Sequence, residues 1–159
     1  MFADPVAEQL ATFVRSVGID VRAATLDAKT LFPGLDIRHG AVLVDETRLV
    51  HPGNILHEAG HIAVTDPAVR NAETLSPTGG EELATLAWSY GAALHLGFGA
   101  ELVFYPGAYQ GWDTSLIENF AAGRYIGVPL LQRFGMALDP KMASQSGVDP
   151  FPHMLRWVR

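Results

Sequence analysis

The stretch Pro52-Gly53-Asn54-Ile55-Leu56-His57-Glu58-Ala59-Gly60-His61-Ile62-Ala63-Val64-Thr65 governs the reading of this chain. Its ionisable side chains are His57, Glu58 and His61, and around them stand Ile55, Leu56, Ala59, Ile62, Ala63 and Val64, a composition that predicts a buried helix. Pro52 and Asn54 suit its beginning. Asp66-Pro67 suits its end, because the residue before proline is pushed out of the helical region. On such a helix, residues four apart lie on one face, so the imidazoles of His57 and His61 can converge on a single cation. Glu58 is turned by about 100° from His57. That offset suits a carboxylate that works on water beside a metal rather than on the metal, which is the logic of the HExxH motif. A pair of hydrogen-bonded core histidines is the plainer alternative. Gly60 costs about 1 kcal/mol relative to alanine inside a helix, and the usual reason for such a glycine is close approach of another backbone.

Two protein ligands do not complete a catalytic zinc site. Glu81 and Glu82 follow the turn-forming Ser76-Pro77-Thr78-Gly79-Gly80 and open a second helix running to about Leu96. A carboxylate in a first helical turn is favoured by the helix dipole whether or not it binds a metal. Either glutamate is therefore a candidate third ligand.

With these residues in place the chain resembles the zincin metallopeptidases, and among them the gluzincin pattern in which HExxH is followed by a glutamate on a later helix. It is most similar in pattern to the ImmA/IrrE-type metallopeptidases, where Glu-x-x-x-[apolar]-Ala runs along that later helix; Glu82-Leu83-Ala84-Thr85-Leu86-Ala87 stands in this register. The resemblance implies an α+β fold: a small zincin-like domain spanning residues 1–159, with a short mixed or antiparallel sheet packed on the HExxH helix and on a second, glutamate-bearing helix. It implies a Zn2+ cofactor held by His57, His61 and Glu82, with Glu81 as the alternative third ligand and Glu58 as the catalytic base. The implied reaction is hydrolysis of peptide bonds in a peptide or protein substrate that pairs with an edge strand. The likeness covers about residues 36 to 95. The connection between the two helices is short, the Leu-Met-Pro-like ending after the second is missing, and no helix-turn-helix module fits in this length, so specificity does not transfer. Hydrolysis of a nonpeptide amide or ester needs the same groups. A zinc-binding sensor or partner-interaction protein without catalysis is the alternative from another class, and Glu58 argues against it because a structural zinc has no use for a base.

Composition bounds the rest. With 159 residues, 48% hydrophobic and 18% charged, the chain can bury a substantial core as one compact domain. A net charge of −6 and dispersed basic residues argue against general nucleic-acid binding. Absence of cysteine leaves nitrogen and oxygen as the available metal donors. The run between Glu82 and Glu101 carries no formal charge, yet Thr85, Ser89, Tyr90, His95 and its glycines make it too polar for a membrane span. Met1-Phe2-Ala3-Asp4-Pro5 lacks the features of a signal peptide. A cytoplasmic location is the expectation, and a homo-oligomer or accessory protein could complete the cleft of so short a chain.

Elsewhere the periodicity predicts a helix from Pro5 to Val17 and strands at Ile19–Ala23, Ile37–His39, Ala41–Val44, Arg48–Val50 and Glu101–Tyr105. It further predicts helices at Ser115–Tyr125 and Val128–Met136. The loop from Pro106 to Asp113, with Tyr109 and Trp112, has the composition of a lid or substrate rim, with ordinary turn packing as the plainer alternative. Tyr105, Tyr109, Arg124, Tyr125 and His153 are candidate oxyanion donors. His95 stands about 20 Å along the helix from Glu82, too far to share its metal.

Overall fold

The computed structural model describes residues 1–27, 30–109, 111 and 113–159. Along the chain run α1 (Pro5–Ser16), β1 (Asp20–Ala23), β2 (Leu35–Arg38), β3 (Ala41–Val44), α2 (Asn54–Val64) and α3 (Gly79–His95). A 3-10 turn at Ala100–Leu102, α4 (Asp113–Ala121), α5 (Val128–Arg133) and α6 (Pro140–Ser146) complete it. The fold is α+β, with a small mixed sheet.

A helix that is apolar on nearly every side must be enclosed on every side. In α2 every residue except Glu58 is buried. α3 covers one flank, α1 another, and β2 and β3 a third. The Gly60 position explains how α3 comes so close: a Cβ there would lie 3.0 Å from Thr85 Cγ2 and 3.2 Å from Trp88 Cε3. The glycine cost is thus offset by a tight helix crossing at the level of the two histidines.

α1 lays Ala7, Leu10, Ala11, Phe13 and Val14 against this core. Asp4 caps it by accepting from the amides of Val6 and Ala7, with Pro5 in the first turn, where a missing N–H is harmless. In the sheet, β3 lies between β1 and β2, parallel to the first and antiparallel to the second. β2 and β3 are joined through His39 and Gly40, both at positive φ, which a two-residue hairpin turn of matching twist requires. Leu35 and Ile37 point into the core, while Asp36 and Arg38 face outward. β2 stands at the edge of the sheet and packs against α2.

Two expected strands are replaced by turns. At Arg48–Val50 the cause is Asp45, whose carboxylate accepts from the Leu26 and Thr47 amides and the Thr47 hydroxyl, while its carbonyl accepts from the Arg48 and Leu49 amides. Local bonds of this kind compete with a strand ladder. At Glu101–Tyr105 the amides of Val103 and Phe104 both bond back to the Ala100 carbonyl. A short apolar run without alternation fits either state. α5 stops at Arg133, short of Met136, with Gly135 at positive φ just beyond it. α4 ends at Ala121 rather than Tyr125. Helix α6 went unanticipated although Asp139-Pro140 is a start signal, with Asp139 accepting from the Met142 amide at 2.8 Å.

The final residues return to the centre. The Trp88 indole N–H donates to the Trp157 carbonyl at 2.8 Å, and the Arg159 amide donates to the Ala63 carbonyl at 2.9 Å. No described helix is long and apolar enough to cross a membrane; α3 ends at His95, which packs against Phe13 and Trp157 at the end remote from Glu82.

Candidate metal centre

The helical register of α2 places the His57 and His61 rings side by side, their Nε2 atoms 3.0 Å apart. α3 supplies the third group. Its start is fixed by a capping box in which the Glu81 amide donates to Thr78 Oγ1 while the Thr78 amide and hydroxyl both donate to the Glu81 carboxylate at 2.9 Å. Glu81 is thereby committed to the helix end. Glu82, the next residue around the helix, turns its carboxylate to the histidines: Oε1 lies 3.3 Å from His57 Nε2 and Oε2 lies 3.4 Å from His61 Nε2. One donor atom from each of His57, His61 and Glu82 falls within 4.8 Å of the others.

These separations suit a small divalent cation. Bonds of 2.0–2.1 Å in tetrahedral array give donor-donor edges of about 3.4 Å. The far side of each ring fits as well. His57 Nδ1 meets the Tyr109 hydroxyl at 3.1 Å and His61 Nδ1 meets Thr85 Oγ1 at 3.3 Å. With the ring protons assigned to Nδ1 and donated to these oxygens, both Nε2 lone pairs and the carboxylate oxygens of Glu82 face one point. Positive charge satisfies that arrangement, and outward donation from Nδ1 is the usual support of a metal-bound histidine.

The electrostatics run the same way. Burial holds His61 down to about 4, helped by neighbouring His57 and opposed by Glu82 and Glu81, so the ring is neutral at physiological pH, as a ligand must be. Glu82 is held below the usual carboxylate range, chiefly by its contact with His57 and against the effect of its own burial. Glu58 is pushed up to about 7 by burial, with Glu82 and Asp36 adding to the rise and His57 working against it. A carboxyl poised near neutrality can both take and return a proton.

Two cavities flank the centre. One, of about 630 Å³, opens on the His57 side beneath Phe32, Tyr105 and Tyr109. The other, of about 390 Å³, opens on the Glu58 and His61 side along β2, with Asp36, Ile37 and Arg38 in its wall. Glu82 lines both.

Among the candidate oxyanion donors, Tyr105 and Tyr109 line the cleft, but each hydroxyl is engaged: Tyr105 with Asn54 at 2.7 and 3.1 Å, Tyr109 with the Nδ1 edge of His57. Arg124 bonds Asn119, Tyr125 packs among Tyr90, Phe120 and Phe151, and His153 is exposed elsewhere. Trp112 lies outside the described residues. Thr85, which the motif does not mark as a site residue, stands three residues after Glu82 and so on the same helix face. Tyr109 is held in place by Asp113, whose carboxylate accepts from the Gly107 and Tyr109 amides at 2.9 and 2.6 Å. It acts on His57 rather than on a reacting group. Tyr109→Phe should therefore weaken binding of a divalent metal ion about 10- to 100-fold with the fold intact, measured by competition with a chelating dye; unchanged affinity would remove Tyr109 from the site's support.

The chain shows no significant match to known protein-family profiles, to curated proteins or to solved structures.

Proposed function

We propose that this protein is a zinc-dependent hydrolase that cleaves peptide bonds. One observation carries the reading: two imidazole nitrogens and one carboxylate converge on a point beside an unligated glutamate, in a cleft bordered by an edge strand. His57, His61 and Glu82 would hold the ion. An all-nitrogen-and-oxygen set from two histidines and a glutamate is a donor set of catalytic zinc, which leaves a position for water. When bound, Zn2+ supplies Lewis acidity that polarises a carbonyl and makes a water easier to deprotonate.

The chain's own groups do the remainder. Glu58 accepts a proton from the attacking water and returns it to the departing amine, a task suited to a carboxyl near neutrality. Tyr109 and Thr85 keep the two imidazoles in the tautomer that presents Nε2. β2 lies at an edge of the sheet, where an extended peptide can be recognised through main chain without demanding a particular sequence, once the Ile37 amide exchanges its bond to Asp36 Oδ1 for one to the peptide.

The pH dependence follows in sign. Glu58 works as a base only when ionised, so kcat/KM rises with pH as its proton leaves. Burial sets that event at about 7, and the charge of a bound cation pulls it lower, so the acid limb should fall below pH 7. A library of internally quenched peptides tests the reading: cleavage should appear with the zinc-loaded protein, vanish with a chelator and return with added zinc. A protein that carries one zinc and cleaves nothing in the library would sink the peptidase assignment.

A further inference from the structure

The two cavities beside the metal centre differ in chemistry, and that difference bears on the substrate. This inference rests on the zinc hydrolase reading above. On the Glu58 side the wall carries Asp36, Arg38 and Glu58 itself, so charge is available there. On the His57 side the walls are Phe32, Pro33, Tyr105, Pro106 and Tyr109, and the one carboxylate among the described lining residues is Glu82, turned toward the histidines.

That second cavity is also preformed. Tyr105 is fixed by Asn54 and covered on one face by His51, whose ring stacks on it at 3.7 Å with 22° between planes. Tyr109 is fixed by His57 and by the Asp113 clamp. Phe32 is 8% exposed and lies edge-on against His57 at 5.3 Å. At the mouth stand two large aliphatic side chains that the fold leaves in water, Leu31 at 86% and Val50 at 61% exposed. Exposed apolar groups rimming a preformed aromatic pocket mark a surface that binds.

We propose that the substrate residue on the His57 side of the metal centre carries a bulky, uncharged apolar side chain, which enters the cavity walled by Phe32, Tyr105 and Tyr109 with Leu31 and Val50 closing over it. A lysine or aspartate side chain would lose its hydration there, and the one carboxylate in the wall, Glu82, is turned to the histidines. A volume of about 630 Å³ accommodates a phenylalanine or leucine side chain with room for the adjoining backbone. Discrimination between large and small apolar side chains in such pockets reaches about 10- to 200-fold.

The test reads binding, so it does not depend on turnover. Zinc content of the protein is measured first, and a series of peptide hydroxamates with benzyl, isobutyl, methyl, carboxymethyl or aminobutyl side chains is then titrated into the zinc-loaded protein. Benzyl and isobutyl should bind at least about tenfold tighter than methyl, with both charged chains weaker still. Val50→Asp, at an exposed rim position, should weaken the benzyl compound relative to the methyl one and favour aminobutyl. Equal affinities across the series, or selectivity indifferent to Val50→Asp, would overturn the pocket assignment and leave the zinc reading standing. Zinc-loaded protein that binds no hydroxamate would overturn both, and a protein that takes up no zinc would fail at the first measurement.

Discussion

Glu58→Gln should lower kcat/KM by about 10²- to 10⁴-fold, or roughly 3–5 kcal/mol of transition-state stabilisation, while zinc stays bound at full stoichiometry. Glutamine keeps the shape and hydrogen-bonding reach of the side chain and removes its ability to carry a proton. The carboxyl is not among the atoms that converge on the metal point, so binding should survive. A second consequence separates a functional carboxylate from a structural one. In the zinc-free protein, burial beside Glu82 and Asp36 lifts Glu58 from an ordinary 4.5 to about 7, so between these values the folded state holds a proton that the unfolded state has lost. Stability attributable to this group therefore falls as pH rises through that window and stays lost above it. The difference is of order 3 kcal/mol at most. Glu58→Gln should accordingly make the zinc-free protein more stable than the native chain at pH 8 and no more stable at pH 4, a comparison read from thermal melts. Full activity in Glu58→Gln would eliminate Glu58 as the base.

Trp88→Ala should cost about 3–5 kcal/mol, the range for removing a large aromatic side chain from a core. Trp88 is fully buried on the face of α3 that meets Gly60, its ring 6.3 Å from that of Phe13 and 5.6 Å from that of Trp157. The cavity is one part of the loss. The Trp157 carbonyl, which accepts the indole N–H at 2.8 Å, is the other, since it would be left without that donor. Domains of this size are stable by only about 5–15 kcal/mol, so this single change should bring the urea midpoint down by a large fraction and loosen the α2–α3 crossing that aligns the metal donors. A loss under about 1 kcal/mol would mean that α3 is held by something other than this contact.

The centre of the molecule is legible in the sequence because helical periodicity and sparse charge speak with one voice there. Between Pro52 and Thr65 the few ionisable residues stand out from an apolar background, and spacing alone puts His57 and His61 on one face. The choice between Glu81 and Glu82 is not legible, because both suit the first turn of a helix. It is decided by the capping box with Thr78, which occupies Glu81 and swings Glu82 inward. The supporting hydroxyls show why the rest stays hidden: Tyr109 reaches His57 across 52 residues through a loop folded on Asp113, and no local pattern encodes that path. Arg48–Val50 misleads for the opposite reason, since alternation suggests a strand where the side chain of Asp45 has closed a turn. Glu101–Tyr105 is similar, a short apolar run whose state depends on neighbours distant in sequence.

On this reading His57, His61 and Glu82 form a zinc site with Glu58 beside it and not in it. Elemental analysis of the purified native protein together with His61→Ala, Glu82→Gln and Glu58→Gln separates these roles. About one zinc per chain in the native protein and in Glu58→Gln, with loss in the other two, is the expected pattern. A native protein that takes up no zinc after incubation with the metal, or one whose zinc survives both His61→Ala and Glu82→Gln, would contradict it.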